Sequence, residues 1–163
     1  MVTVYLALGT NVGERENNLR TALGYLAESG VAVLELSSIY ETEPRDYLEQ
    51  AWFLNAVCKA RTELSAEQLL ATLHEIEARM GSEKPFAKGP RLMDLDLLLY
   101  GDATVRTPAL EVPHPRMLER NFVLVPLAEI APTLRHPSWP GTARELLARS
   151  TDRAVVRLVL KRL

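Results

Sequence analysis

Asp94 and Asp96 stand two residues apart in the run Gly89-Pro90-Arg91-Leu92-Met93-Asp94-Leu95-Asp96-Leu97-Leu98-Leu99-Tyr100. Side chains alternate in an extended chain, so Met93, Leu95, Leu97 and Leu99 fall on one face and both carboxylates on the other, about 6–7 Å apart. Aspartate is a poor strand former and like charges on one face repel, so the pair calls for a compensating charge. Mg²⁺ carrying phosphates supplies one, since that ion takes one or two carboxylates and completes its shell with water and phosphate oxygens. Arg91, just past the Gly89-Pro90 turn, offers a planar fork for the same phosphates. A solvated edge strand would carry the same residues, so the rest of the chain has to decide.

Three other sets of residues could do chemistry. Phe53 and Asn55 share one face of a strand-like run, an aromatic plate beside an amide, which suits a flat heteroaromatic ligand as well as a simple cap on the sheet. His74 and Glu77 are three apart on a helical stretch and so neighbours on its surface, where they could also be a solvated pair. Val112-Pro113-His114-Pro115 holds a histidine between two prolines, and a histidine near phosphates can donate hydrogen bonds or charge. Arg79, Lys84, Lys88 and Arg91 lead into the aspartates, opposed in that stretch only by Glu83.

The elements that must position these residues follow from periodicity. Val2, Val4, Leu6 and Leu8 alternate as a first strand ending at Gly9. Leu19, Ala22, Leu23 and Leu26 recur at helical spacing, with Gly30 as a stop. Val31 to Tyr40 reads as a second strand, and a third has Leu54, Ala56, Cys58 and Ala60 on one face against Phe53, Asn55, Val57 and Lys59. Ser65 and Gln68 form a capping box for a helix with the stripe Leu69, Leu70, Leu73, Ile76 and Met80, stopping at Gly81. The aspartate strand is the fourth. The predicted fold is therefore α+β, a ferredoxin-like βαββαβ core whose antiparallel sheet carries both helices on one face. A C-terminal extension, with a hairpin around Asp102 to Arg106, Pro-bounded turns, a short helix near Ala143 to Arg149 and a strand-like run from Ala154 to Leu160, is expected to finish the other face.

Bulk properties set the class. A chain of 163 residues, 47% hydrophobic and 25% charged, predicts one soluble globular domain spanning 1–163. The net charge of −2 argues against nucleic-acid binding, which needs a basic face. Cys58 is the single cysteine, which excludes an internal disulfide and suits a reducing cytoplasm. No leader and no membrane-spanning stretch are evident. The expectation is a cytoplasmic protein acting on small molecules, with neither membrane, nucleic acid nor protein partner implied.

Taken in order, these segments resemble the 6-hydroxymethyl-7,8-dihydropterin pyrophosphokinase family of folate synthesis. The resemblance rests on Ala7-Leu8-Gly9-Thr10-Asn11, Tyr40-Glu41-Thr42-Glu43-Pro44, Phe53-Leu54-Asn55-Ala56, Gly89-Pro90-Arg91, Asp94-Leu95-Asp96, Val112-Pro113-His114-Pro115 and Pro126-Leu127-Ala128-Glu129-Ile130-Ala131-Pro132. It implies a cleft binding ATP as co-substrate together with the pterin, two Mg²⁺ ions, and transfer of pyrophosphate to the pterin's hydroxymethyl oxygen with release of AMP. By position it implies Asp94 and Asp96 as metal ligands, with Arg91 and His114 beside them in catalysis. It implies Thr42, Glu43, Pro44, Phe53, Asn55 and Phe122 around the pterin. It further implies His74, Glu77, Lys84, Lys88, Arg91, Leu97, His114 and Arg120 around ATP.

The segment Ser82 to Lys88 departs from the family's arginine- and tryptophan-bearing lid, with Lys84 where an arginine is frequent. Lysine neutralises phosphate but cannot form a bidentate fork. Ser82 to Arg91 is nonetheless expected to move and to close over phosphates. From the residues alone two other readings stay open. One is a two-metal nucleotidyltransferase or cyclase-like enzyme, and the other a regulatory module that binds a small molecule without turnover.

Overall fold

The computed structural model describes residues 1–44, 49–81 and 90–163, and its spine is a pair of long antiparallel strands. Strand β1 (Val2–Thr10) pairs with β4 (Phe53–Thr62) without a break from Val2 opposite Thr62 to Thr10 opposite Leu54. Both have the alternating pattern of a strand with each side committed. Strand β5 (Asp94–Tyr100) flanks β1, while β3 (Ile39–Thr42) flanks β4 and β8 (Val156–Leu160) flanks β3. The order is β5-β1-β4-β3-β8, and β2 (Val31–Leu36) pairs with the far half of β4.

Helices α1 (Arg15–Glu28) and α2 (Ala66–Arg79) cover one face. Leu19, Ala22 and Leu26 from α1 and Leu69, Leu73 and Ile76 from α2 pack on Val4, Leu6, Leu8, Ala56, Cys58 and Ala60. Ser65 and Gln68 form the expected capping box, and α1 is followed by Gly30 and α2 by Gly81, both at positive φ where glycine is favoured. Cys58 is fully buried, and burial pushes its thiol up to about 12, so it packs as a small apolar residue.

The other face has its own core of Tyr5, Val57, Leu98, Leu99, Met117, Val123, Leu124, Leu127, Trp139, Ala143 and Leu146. Helices α3 (Asn121–Ile130) and α4 (Ala143–Arg149) supply much of it, after a 3₁₀ turn at Met117–Glu119. The extension therefore does cover the second face. The α3 helix is absent from the sequence reading, because Pro126 lies inside it and an interior proline removes a helix hydrogen bond. Burial of Val123, Leu124 and Leu127 at helical spacing outweighs that loss.

Three details differ from the expected pattern. The second strand is two strands, β2 and β3, interrupted at Ser37-Ser38. In β5 the register against β1 shifts between Tyr5 opposite Leu99 and Leu6 opposite Leu97, so Leu98 is an extra residue. Past it the faces exchange: Leu99 joins the second core and Tyr100 packs toward the helices, its hydroxyl donating to the Leu64 carbonyl at 2.6 Å. The hairpin lies further on than Asp102–Arg106. Gly101 and Asp102 turn the chain out of β5, and β6 (Val105–Arg106) pairs with β7 (Glu111–Val112) across a turn closed by Thr107 and Leu110. Several turn-forming residues occur in this stretch, and only strand pairing selects which of them closes the hairpin.

Leu124 is fully buried between α3 and the sheet. Leu124→Ala should lower the unfolding free energy by about 2–5 kcal/mol, read from the midpoint of urea denaturation at unchanged slope.

Candidate functional site

The strand register lines up the chemistry-bearing residues. Asp94 of β5 is opposite Gly9 of β1, Gly9 is opposite Asn55 of β4, and Asn55 is opposite Tyr40 of β3. Directly paired residues point to the same face, so this row runs across four strands on the face opposite α1 and α2. The next row has Asp96, Ala7 and Val57, where the second core begins. One end of that face is thus filled by α3 and α4 while the Asp94 end holds polar groups. With strands about 4.8 Å apart, two steps place the carboxylate pair roughly 10 Å from Asn55. Gly9 between them has no room for a side chain, since a Cβ there would meet Asn55 Oδ1 at 2.7 Å.

On the Asn55 side, Asn55 and Thr42 are both buried, and the Asn55 amide nitrogen donates to Thr42 Oγ1 at 2.5 Å. That bond orients the amide. Phe53 is half-buried opposite Thr42, and Phe122 is half-buried in the first turn of α3 with the Arg120 guanidinium 5.5 Å from its ring centre. Pro44 is buried. The Glu43 side chain is engaged elsewhere, its Oε1 accepting from the Val155 N–H at 2.8 Å. It extends the pairing of β3 with β8.

On the aspartate side, His114 runs along the outer edge of β5, its N–H donating to the Leu98 carbonyl at 2.9 Å. Burial pushes its imidazole below the ordinary histidine value; Arg120 adds to this and Asp94 opposes it. Its Nδ1 accepts from the Arg116 N–H at 3.2 Å, which suits a neutral ring with the proton on Nε2. Arg91 is buried at 7% exposure, and its Nη1 donates to the Pro90 carbonyl at 3.1 Å.

His74 and Glu77 are not a surface pair. His74 is exposed, whereas Glu77 turns inward beside Ile76 and accepts the Leu95 N–H at 2.8 Å, between the two aspartates. Three-residue spacing gave adjacency, but the apolar stripe of α2 decides which of the two enters the protein. The Leu97 side chain lies in the helix-side core, on the other face from Asp94 and Asp96, so only its backbone is available to a ligand at the site. Lys84 and Lys88, like most of the expected lid, lie outside the described residues.

The sequence profile of the 7,8-dihydro-6-hydroxymethylpterin-pyrophosphokinase (HPPK) family matches residues 5–132. The chain belongs to this family. A Bacillus subtilis 2-amino-4-hydroxy-6-hydroxymethyldihydropteridine pyrophosphokinase is 42% identical over 155 residues, 94% of this chain and 88% of that protein. Its Aquifex aeolicus counterpart is 38% identical over 93% of this chain and 94% of that one. The Pneumocystis carinii folic acid synthesis protein is 44% identical over 82% of this chain, but the match spans only 18% of that much longer protein. A solved Plasmodium falciparum HPPK-DHPS structure with pteroate superposes with a TM-score of 0.74 at 16% identity, over 91% of this chain and 42% of that one, and shows a shared fold.

In this HPPK-family chain, the residue that the sequence reading left without a role is Asn11. Its N–H donates to the Arg91 carbonyl at 2.9 Å and its Oδ1 accepts the Arg91 N–H at 2.8 Å. Its amide nitrogen also donates to Gln50 Oε1 and to the Ala51 carbonyl at 2.9 and 2.8 Å. One side chain thereby ties the segment entering β4 to the segment entering β5. Glu41 is a second such tie: it holds Arg15 at 2.8 Å and Arg157 on β8, and Arg157 and then Arg15 keep its carboxyl below the usual range. The only local signal for Asn11 was its place directly after a strand, where amide side chains often bond to backbone.

Burial of the His114 ring makes stability depend on pH. Unfolded, the imidazole takes its proton near pH 6.5; folded, it does so only at lower pH. Its contribution to stability is therefore complete above about pH 6.5 and is lost as pH falls through the folded value. Urea titrations of the wild type and His114→Gln at pH 7 and pH 5 should show a smaller acid loss in the variant.

Proposed function

We propose that this chain transfers diphosphate from ATP to 6-hydroxymethyl-7,8-dihydropterin, releasing AMP, with Mg²⁺ held by Asp94 and Asp96. The observation that carries this reading is the row from Asp94 through Gly9 to Asn55, which sets a carboxylate pair and an oriented amide about 10 Å apart on one sheet face. That spacing suits a flat ring at one end and a polyphosphate at the other. Family membership supports the same reaction, and the small, flat acceptor suits Phe53 and Phe122 as stacking partners. The core, with β2 and β3 taken as one interrupted strand, is read as ferredoxin-like, and residues 1–163 as one domain. A cytoplasmic setting suits the single buried cysteine.

The donor set suits magnesium and not a protein-only metal cage. Among the described residues no three His, Cys, Asp or Glu side chains converge as a metal site, and Glu77 bonds to the Leu95 N–H. Two carboxylates with the remaining positions left to water and phosphate is the usual Mg²⁺ arrangement. Bound there, Mg²⁺ neutralises polyphosphate charge. The rest is positioning, which is most of what phosphoryl transfer asks of a protein. Asn55, oriented by Thr42, pairs with ring heteroatoms and so fixes the edge of the pterin. The hydroxymethyl oxygen attacks the β-phosphorus; the new O–P bond forms as the bond from the β-phosphorus to the α-bridging oxygen breaks, and AMP departs. Asp96 orients the hydroxyl and accepts its proton. Arg91, His114 and Arg120 bind phosphate oxygens, while His74 and the outer-edge backbone at Leu97 lie toward the rest of the nucleotide.

Incubation with ATP, Mg²⁺ and the reduced hydroxymethylpterin should yield AMP and the pterin diphosphate by ion-exchange chromatography, and chelation should stop it. ADP, or free pyrophosphate with the nucleotide retained on an acceptor, would overturn the assignment. Asp94→Ala and Asp96→Ala should each lower kcat by at least about 10²-fold, several kcal/mol in the transition state, with the melting temperature held or raised as like-charge repulsion is relieved.

The stacking residues give an independent check. Phe53→Ala and Phe122→Ala should each weaken pterin binding by roughly 0.5–1.5 kcal/mol beyond lost burial, and by more than they weaken binding of a non-hydrolysable ATP analogue, read by calorimetry. Equal losses for both ligands would point to general collapse of the site.

A further inference from the structure

The interruption between β2 and β3 inserts one residue into the edge facing β4. Leu36 is opposite Cys58, and Ser37 follows in step, its N–H donating to the Val57 carbonyl at 2.9 Å and its Oγ accepting the Val57 N–H at 2.9 Å. Pairing resumes with Tyr40 opposite Asn55. Three residues on this strand therefore span two on β4, which is a β-bulge at Ser38-Ile39. Without it Ile39 would oppose Asn55, and both Tyr40 and Thr42 would face the helices. The bulge is what puts Thr42 on the face where it accepts from the Asn55 amide.

A bulge leaves a backbone donor outside the ladder, and Ser38 is nine-tenths buried, so its N–H needs a partner. Glu129 on α3 provides it. Its Oε1 accepts the Ser38 N–H at 3.0 Å and the Tyr40 hydroxyl at 2.9 Å, and its Oε2 accepts the Ser38 hydroxyl at 2.6 Å. The carboxylate thus grips the bulge residue by both of its donors and the next outward-facing residue of β3 by its phenol. Burial and the Glu129 hydrogen bond and charge together hold the Tyr40 phenol at about 12, so at neutral pH the phenol keeps the proton it donates. Glu129 is itself exposed, and its replacement opens no cavity in either core.

We propose that Glu129 is a positioning residue for the pterin end of the site, holding the Ser38 bulge and thereby the register that brings Thr42 to Asn55. This rests on the reading of Thr42 and Asn55 as pterin-binding residues. Among the described residues the hydrogen bonds of Glu129 go to Ser38 and Tyr40 and to none of the residues assigned to the metal or to ATP, so its expected influence is on one of the two substrates.

Calorimetry on Glu129→Ala and Glu129→Gln with the reduced hydroxymethylpterin, and separately with a non-hydrolysable ATP analogue and Mg²⁺, tests this. Loss of charge-assisted hydrogen bonds should weaken pterin binding by about 10-fold or more in Glu129→Ala, with KM for the pterin rising in step. Affinity for the ATP analogue should stay within about twofold. Glu129→Gln should recover part of the loss, since an amide oxygen in the Oε1 position still accepts the Ser38 N–H and the Tyr40 hydroxyl, while the NH₂ in the Oε2 position can donate to Ser38 Oγ. Tyr40→Phe, which leaves the grip on Ser38 intact, should cost less than Glu129→Ala. If Glu129→Ala binds the pterin as the wild type does, or loses both ligands equally, the proposal is overturned. Failure of the wild type itself to bind the pterin would instead overturn the function on which it rests.

Discussion

A one-residue insertion in a strand exchanges its two faces, and the whole arrangement depends on that exchange being made on both sides of an uninterrupted central pair. β1 and β4 stay in strict register along their length. On one side β5 takes an extra residue at Leu98, so that Asp94 and Asp96 can face the site while Leu99, further along the same strand, still enters the second core. On the other side the bulge at Ser38-Ile39 allows Leu36 and Ile39 to serve the helix-side core while Tyr40 and Thr42 face Asn55. A straight strand could satisfy one requirement or the other.

The two demands on the second face are divided along the length of the strands. Where Tyr5, Val57 and Leu99 lie, α3 and α4 cover it with apolar side chains; where Gly9, Asn55 and Asp94 lie, the side chains are polar or missing. Helix α3 belongs to both regions, burying Val123, Leu124 and Leu127 while presenting Phe122 from its first turn and Glu129 from its last. Packing of the extension and shape of the candidate site are therefore coupled through one short helix. A change in how α3 sits on β4 would move an aromatic candidate and the bulge support together.

Around the site, side chains stand in for missing backbone pairing. Asn11 continues the end of β1 by bonding both backbone groups of Arg91, and also reaches the segment before β4. Glu77 covers an N–H on the outer edge of β5, and His114 occupies a carbonyl of the same edge. Buried or edge backbone groups need partners, and here meeting that need also sets the positions of Arg91, Asp94 and His114.

Much of this was legible locally. The alternation in β1 and β4, the apolar stripes of α1 and α2, the Ser65 capping box and the glycine stops are short-range patterns, and periodicity reads them directly. The carboxylate pair and the Phe53-Asn55 pair were legible for the same reason, since residues two apart on a strand share a face wherever that strand ends up. What only the tertiary structure decided is which neighbour each element finds. Helix α3 forms in spite of Pro126 because a sheet face is there to bury it. Glu77 turns inward and His74 outward because α2 packs on β5. Leu99 changes face and β2 parts from β3 because strands far apart in sequence impose their registers, and the group that satisfies the Ser38 bulge comes from Glu129, 91 residues further along the chain. Local spacing carries no information about such partners, because the energy that selects them is released only when the elements meet.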